Sequence, residues 1–143
     1  AGDAGQQPIL VAGQRLLLNI CYEDVFGEEL LDRVADTTIM IDVTNDAWYD
    51  RSPAAWQHLQ ISQARALETG RYMLRATNTG MTAIIDQHGR LLKLAPWFTE
   101  QSLSGVAQGY RGTTPYVRMG NWPVVAWLSL WLLGGAALAH RRS

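Results

Sequence analysis

The sequence contains few of the residues that form disulfides and metal sites. Its one cysteine excludes an intrachain disulfide. The histidines, His58, His88 and His140, lie far apart and lack the spacing of metal ligands, so we assign no metal and no cofactor. Lys93 is the only lysine among 12 basic residues. A formal net charge of −1 gives no reason to expect nucleic acid as a partner, and 143 residues leave room for one domain.

The single cysteine ends a hydrophobic run, the sequence LLLNICYED at residues 16–24. A thiol at the tip of a buried strand is held on rigid backbone, and the following turn can direct N–H groups at the oxygen of an attacked carbonyl. This pattern predicts that Cys21 is a nucleophile. The alternative is that Cys21 only fills space in the core as a small hydrophobic residue, which is the more common role of a lone cysteine.

Apolar runs separated by turn residues predict an α/β chain. The predicted strands are 15–20, 38–44, 72–77, 81–86 and 91–94, with a last short strand at 103–108, and the predicted helices are 28–35 and 54–69. Two strands that end in polar turns and are joined by a helix form a βαβ unit, in which ligands lie beyond the carboxyl ends of the strands. We therefore expect Cys21 and Trp48 to face one crevice.

The longer predicted helix ends at a glycine. Gly70 follows residues 54–69 at the position where a left-handed residue closes a helix. Within the helix, the residues expected to share an apolar stripe are Trp56, Leu59, Ile61, Ala64 and Leu67.

Residues 122–139 form an uncharged apolar run, WPVVAWLSLWLLGGAALA. As a helix it would be about 27 Å long, close to the ~30 Å of a bilayer's hydrocarbon core. The run predicts a transmembrane helix, with a buried core helix as the alternative. Residues 109–121, rich in glycine, would then be a linker, and 140–143 a short tail.

The charges that flank this helix do not decide its orientation. Arg141 and Arg142 on the tail favour a cytoplasmic C-terminus, whereas Arg111 and Arg118 lie on the other side within the range that the positive-inside rule counts.

Several short motifs follow one another along the chain in an order that is typical of one enzyme family. They are Ile20-Cys21-Tyr22-Glu23, Asn45-Asp46-Ala47-Trp48-Tyr49, His58 with ARALETGR at 64–71, RATNTG at 75–80, the turn 86–89, Thr114-Pro115-Tyr116 and Gly120-Asn121-Trp122-Pro123. Together they resemble the nitrilase (carbon–nitrogen hydrolase) superfamily and, within it, the apolipoprotein N-acyltransferases of bacterial inner membranes. The last two motifs, followed directly by an apolar helix, single out the acyltransferases.

This resemblance implies part of an α-β-β-α sandwich, with residues 1–108 as the C-terminal portion of a periplasmic catalytic domain and the C-terminus in the cytoplasm. It also implies transfer of a phospholipid acyl chain, through a cysteine thioester, to the N-terminal amine of a diacylglyceryl-cysteine lipoprotein. The implied partners are the phospholipid donor, the apolipoprotein acceptor, the membrane and the upstream part of the same enzyme.

The resemblance also implies roles for individual residues. Cys21 would be the nucleophile, the Tyr22 backbone N–H an oxyanion donor and Glu23 a supporting catalytic acid. The residues implied to bind substrate, as pocket wall or lid, are Asn45, Trp48 and Tyr49. Trp48 could instead be a core residue and Asn45 a turn cap.

Two further groups in these motifs are expected to be structural. We interpret His58 as a buried core histidine whose hydrogen bonds are satisfied. Arg65 and Glu68 are expected to form an i,i+3 ion pair that supports the fold.

The chain departs from the family in one respect. The family's catalytic triad is Glu-Lys-Cys, and its Glu and Lys lie upstream of the cysteine strand, where residues 1–20 offer only Asp3 and Arg15. Two acids beside the thiol, Glu23 and Asp24, would disfavour a thiolate unless a cation lies nearby. We therefore expect this chain to be the C-terminal part of a longer enzyme and to be inactive alone.

Two other functions remain open from the sequence. One is a membrane-tethered nitrilase-type amidase that cleaves a small amide. The other is a non-catalytic, truncated membrane-anchored domain, which the missing Glu and Lys favour.

Overall fold

Six strands form one mixed sheet in residues 7–140, the part of the chain that this computed structural model describes. The strands are β1 (Ile9–Val11), β2 (Gln14–Ile20), β3 (Ile39–Thr44), β4 (Tyr72–Thr77), β5 (Ala83–Ile85) and β6 (Leu91–Leu94). Their order across the sheet is their order along the chain. β2, β3 and β4 are parallel, whereas β1, β5 and β6 pair antiparallel at the two edges. The predicted α/β class is confirmed.

Two helices connect the parallel strands. They are α1 (Gly27–Val34), between β2 and β3, and α2 (Ala54–Thr69), between β3 and β4. Gly70 has a φ of +65° and its N–H donates to Ala66 O and Leu67 O, so it closes α2 as predicted.

The sequence-based prediction for two edge segments was wrong. β1 was not predicted, and a two-residue turn joins it to β2, with Ala12 and Gly13 at φ of +48° and +77°. The strand predicted at 103–108 is a loop instead. A Cβ on Gly105 would lie 2.5 Å from Ile84 Cδ1, which shows that this loop passes over side chains of the sheet and cannot extend it edge-on.

The two faces of the sheet differ in how they are covered. α1 and α2 pack on one face, where Leu30 and Leu59 meet Leu17, Met40 and Met73 in the hydrophobic core. The opposite face carries the alternate side chains of the same strands, which are apolar and only partly buried (Leu16, Leu18, Ile41 and Leu74). The described residues thus supply one helix layer and one sheet layer of the expected sandwich.

The apolar stripe predicted for α2 is only partly present, because Leu59 is buried and Ile61 and Ala64 are half-buried, whereas its two largest members at the ends are exposed. Trp56 and Leu67 are 45% and 56% exposed. The buried face is instead small or polar: Ala55, His58, Leu59, Ser62, Ala66 and Thr69. The physical reason is that this face contacts charged side chains of the sheet, because Ser62 accepts a hydrogen bond from Arg75 on β4 (2.7 Å).

The C-terminal segment contains two helices. α3 (Pro115–Met119) lies within the expected linker and is capped by Thr114, whose hydroxyl accepts from Val117 N and donates to Glu68 O in α2. α4 (Trp122–His140) is long and apolar enough to cross a membrane, and none of its residues is buried against the rest of the described chain, which favours a membrane helix over a core helix. Asp3, Arg141 and Arg142 lie outside the described residues.

Candidate active site

Cys21 directly follows the carboxyl end of β2, which is an outer strand of the three parallel strands. It begins a one-turn 3-10 helix, Cys21–Val25, which we call the cysteine turn. The φ of Cys21 is +56°, a left-handed conformation that costs a residue with a Cβ about 1–3 kcal/mol and that is typical of functional sites. The Cys21 side chain is half-buried.

Glu23 closes the cysteine turn. Its carboxylate accepts a hydrogen bond from the Ile20 N–H at 2.9 Å, so it binds backbone directly beside the nucleophile candidate. Its role as a catalytic acid, like that of the Tyr22 N–H as an oxyanion donor, stays a prediction.

Asp24 points into the helix layer, contrary to the expectation that it adds an uncompensated charge beside the thiol. It is fully buried, its Oδ1 lies 3.0 Å from His58 Nε2, and its Oδ2 accepts a hydrogen bond from Ser62 at 2.5 Å. Arg75 lies 3.7 Å from the same carboxylate. The charge of Asp24 is therefore paired with two cations.

A second turn follows the neighbouring strand β3. Residues Asp46–Tyr49 form it, and we call it the aromatic turn. Asn45 caps it by accepting from Ala47 N at 3.1 Å, and Asn45 also accepts from Asn78 Nδ2 at 2.6 Å. The interpretation of Asn45 as a turn cap is confirmed, and its contact with substrate stays a prediction.

Trp48 is not a core residue, because 88% of its surface is exposed. The other aromatic residue of the turn, Tyr49, lies with its ring centroid 6.5 Å from that of Tyr22 in the cysteine turn. Burial and the hydrogen bond with Tyr22 raise the pKa of Tyr49, so its phenol stays neutral. The two turns therefore meet, as expected for the ends of adjacent parallel strands.

A buried charge network lies beneath the two turns and consists of Asp24, Asp42, Asp46, His58 and Arg75. Arg75 Nη1 donates to Asp42 at 2.8 Å and Nη2 donates to Asp46 at 3.0 Å. His58 Nδ1 lies 3.2 Å from Asp46, so that His58 contacts an acid from each turn.

The pKa values within the network follow from these contacts. Burial alone would lower the pKa of His58, but its hydrogen bonds with Asp24 and Asp46 outweigh burial and raise it to about 9. Burial also favours neutral Asp46, but hydrogen bonds from His58 and Arg75 hold its pKa below the ordinary value. Burial and the neighbouring charge of Asp24 raise the pKa of Asp42 to about 7. At neutral pH His58 is thus a cation between two carboxylates.

Asp24, Asp42 and His58 have ligand atoms within 4.8 Å of one another, a spacing that could hold a metal. The Arg75 guanidinium already lies among them, 2.8 Å from Asp42 and 2.9 Å from His58 Nδ1. The cluster therefore fits an ion-pair network whose cations are side chains.

Sequence reasoning did not find this network, although it correctly interpreted His58 as a buried, hydrogen-bonded residue. The available signal was one charged residue inside each of two otherwise apolar strands, Asp42 in IMIDVT and Arg75 in YMLRAT. A charge in a buried strand requires a partner. The strand register pairs Asp42 with Arg75 directly.

Two other basic residues have partners outside the charge network. Arg65 and Glu68 form the predicted i,i+3 ion pair at 2.9 Å. Lys93 lies on the edge strand β6, where its ammonium donates to Ser104 O.

Comparison with known proteins gives consistent matches. The family model for carbon-nitrogen hydrolases matches residues 1–115. An apolipoprotein N-acyltransferase of Nitrosomonas europaea is 56% identical over 99% of this chain and 29% of that protein. One of Chromobacterium violaceum is 52% identical over 99% of this chain and 27% of that protein. The chain thus spans less than a third of the length of these curated relatives.

Among solved structures, a carbon-nitrogen hydrolase from Helicobacter pylori G27 superposes with a TM-score of 0.62. It is 15% identical, and the match covers 70% of this chain and 42% of that chain. An amidase of the nitrilase superfamily from Nesterenkonia AN1 superposes with a TM-score of 0.52 at 21% identity, over 66% of this chain and 38% of that chain. At these identities the likeness concerns the fold.

Proposed function

The chain belongs to the carbon-nitrogen hydrolase family, and on that basis we propose that it carries the nucleophile of an apolipoprotein N-acyltransferase. The expected family and the nitrilase-like α/β fold are both confirmed. The observation that supports the proposal best is the position of Cys21, strained at the end of a parallel strand and beside a second turn of aromatic residues.

The proposed reaction has two steps. The Cys21 thiolate attacks the ester carbonyl of a phospholipid, a C–S bond forms, the ester C–O bond breaks, and the thiol proton passes to the lysophospholipid hydroxyl. The N-terminal amine of a diacylglyceryl-cysteine lipoprotein then attacks the thioester, the amide C–N bond forms, the C–S bond breaks, and the proton lost by the amine returns to sulfur. The Tyr22 N–H would stabilise the oxyanion in both steps, with Glu23 as a supporting acid.

Apolar side chains near the cysteine turn support a lipid substrate over a small amide. The exposed ones are Ile20, Tyr22, Phe26, Val43 and Trp48. In our proposal Trp48 and Tyr49 contact the acyl donor, and Asn45 supports the aromatic turn at the pocket wall. α4 would hold this surface at the bilayer, with the catalytic domain in the periplasm and the C-terminus in the cytoplasm.

The remaining parts of the site would come from residues upstream of this chain. The relatives are more than three times as long as the matched region, and in our proposal their additional residues supply the catalytic Glu and Lys and the second sheet of the sandwich. The partly buried apolar face of the present sheet supports such a cover. Residues 1–108 would then be the C-terminal portion of the catalytic domain, 109–121 its connection to the membrane helix at 122–139, and 140–143 a cytoplasmic tail.

The test is intact-mass analysis of the full-length protein after incubation with phospholipid. We expect one acyl adduct on the Cys21 peptide, which lipoprotein acceptor removes. Cys21→Ser should abolish it or convert it to a stable ester. Residues 1–143 alone should form no adduct. Absence of the adduct from the full-length protein, together with hydrolysis of short amides, would favour the amidase alternative, and absence of both activities would favour a non-catalytic domain.

A further inference from the structure

His58 hydrogen-bonds an acid from each turn of the candidate site, and Arg75 forms ion pairs with the same two acids. His58 projects from α2 and is 2% exposed. Its Nε2 lies 3.0 Å from Asp24 of the cysteine turn, and its Nδ1 lies 3.2 Å from Asp46 of the aromatic turn. A single rigid imidazole thus connects two loops that belong to different strands.

The same ring also contacts the aromatic side chains of both turns. The His58 centroid lies 5.4 Å from that of Tyr22 and 6.3 Å from that of Tyr49. Tyr22 follows the nucleophile candidate directly, and Tyr49 is a predicted substrate contact. Any displacement of His58 therefore changes contacts on both sides of the candidate site.

We propose that His58 is a positioning residue that sets the distance and orientation of the cysteine turn relative to the aromatic turn. Its effect on catalysis rests on the proposed acyl transfer, whereas its effect on the thiol's surroundings does not. Well-oriented reacting groups react faster by orders of magnitude, and a misplacement of about 1 Å can cost about a hundredfold in rate.

The protonation state of His58 decides how it makes these contacts. The charged or titratable groups that face it are Asp24 and Tyr22 from the cysteine turn, Asp46 and Tyr49 from the aromatic turn, Asp42 from β3 and Arg75 from β4. As an imidazolium, His58 donates to both carboxylates. If Nδ1 loses its proton, it can only accept from Arg75 Nη2, which lies 2.9 Å away, and the link to the aromatic turn is lost.

Arg71 offers a matched control. It is also a buried cation at 2% exposure, but it donates to Thr37 O and Gly112 O at the opposite end of the parallel strands. A purely structural loss should therefore be similar in His58→Gln and Arg71→Gln, whereas a loss of positioning should occur only in the first.

The experiment uses the full-length protein in detergent at a temperature well below the melting point of both variants. We expect His58→Gln to slow single-turnover acylation of Cys21 by phospholipid at least about tenfold, and to speed its alkylation by iodoacetamide at least about threefold because the turn loosens. Arg71→Gln should change both rates less than about twofold. Equal changes in the two variants, or no change in His58→Gln, would overturn the proposal.

A double-mutant cycle keeps the proposal testable if His58→Gln proves hard to produce. Asp46→Asn weakens the link on the aromatic side, together with the ion pair between Asp46 and Arg75, and should also slow acylation. In the double variant the two effects should not fully add, because both changes remove the same contact between His58 and Asp46. Full additivity would contradict the link. If the wild-type protein forms no acyl adduct, the proposed function fails, and the alkylation rates alone then decide the positioning role.

Discussion

Arg71 and Arg75 lie four positions apart on one strand segment and are equally buried, yet they have different partners. Arg71, before the first residue of β4, donates to backbone carbonyl oxygens, at 2.8 Å to Thr37 and 2.6 Å to Gly112. Arg75 donates to the carboxylates of Asp42 and Asp46. The comparison shows that arginine has two roles in this sheet. At one end it binds backbone carbonyl groups of loops, and at the other end it neutralises carboxylates beneath the candidate site.

The largest difference should appear when each arginine loses its charge. Arg75→Gln leaves buried carboxylates without their cation and should lower the free energy of unfolding by about 3–5 kcal/mol. Arg71→Gln loses hydrogen bonds to neutral carbonyls and should cost about 1–3 kcal/mol. Denaturant unfolding of the full-length protein at pH 7 measures both values. An equal loss of unfolding free energy in the two variants would show that the two arginines contribute equally to stability, despite their different partners.

A smaller effect should appear in the pH dependence of stability. A group whose pKa is raised on folding stabilises the protein below its unfolded pKa, and this contribution is lost as the pH rises through the folded value. For the pKa of His58 the loss runs from 6.5 to about 9, and for that of Asp42 from 3.8 to about 7. A tenfold change in a proton-binding constant corresponds to about 1.4 kcal/mol, so that stability should fall by a few kcal/mol across the His58 range.

The variants separate these contributions. His58→Gln should remove the fall in melting temperature between about pH 8 and 9, which lies above the pKa of Asp42 at about 7. Arg71→Gln should lower the melting temperature without changing its dependence on pH. An unchanged slope in His58→Gln would mean that His58 is not the group that titrates.

The local elements could largely be predicted from the sequence. Apolar runs bounded by turn residues indicated β2, β3 and β4, and Gly70 indicated the end of α2, because these features depend on neighbouring residues alone. β1 was missed because Ala12 occupies a left-handed turn position for which alanine gives no signal.

The charge network could not be predicted, because it depends on contacts distant in sequence. Asp24 and His58 are 34 positions apart, and Asp42 and Arg75 are 33 apart. Only the strand register and the seating of α2 bring them together. The same long-range packing explains why α2 buries Ser62 and exposes Trp56, against the simple apolar periodicity.

The smallest effect on stability is expected at Trp48. A substitution there should also distinguish most clearly a residue that contacts substrate from one that only stabilises the fold. Because this side chain is 88% exposed, Trp48→Ala should change the free energy of unfolding by less than about 0.5 kcal/mol. If Trp48 contacts the acyl donor, the same change should slow acylation of Cys21 several-fold. Trp56→Ala is the control, since Trp56 is also exposed but packs against Trp97 at 6.5 Å. Equal acylation rates in the two variants would show that Trp48 does not contact the lipid. Tyr49 would then be the residue of the aromatic turn that contacts substrate, and the charge network would hold that turn in place.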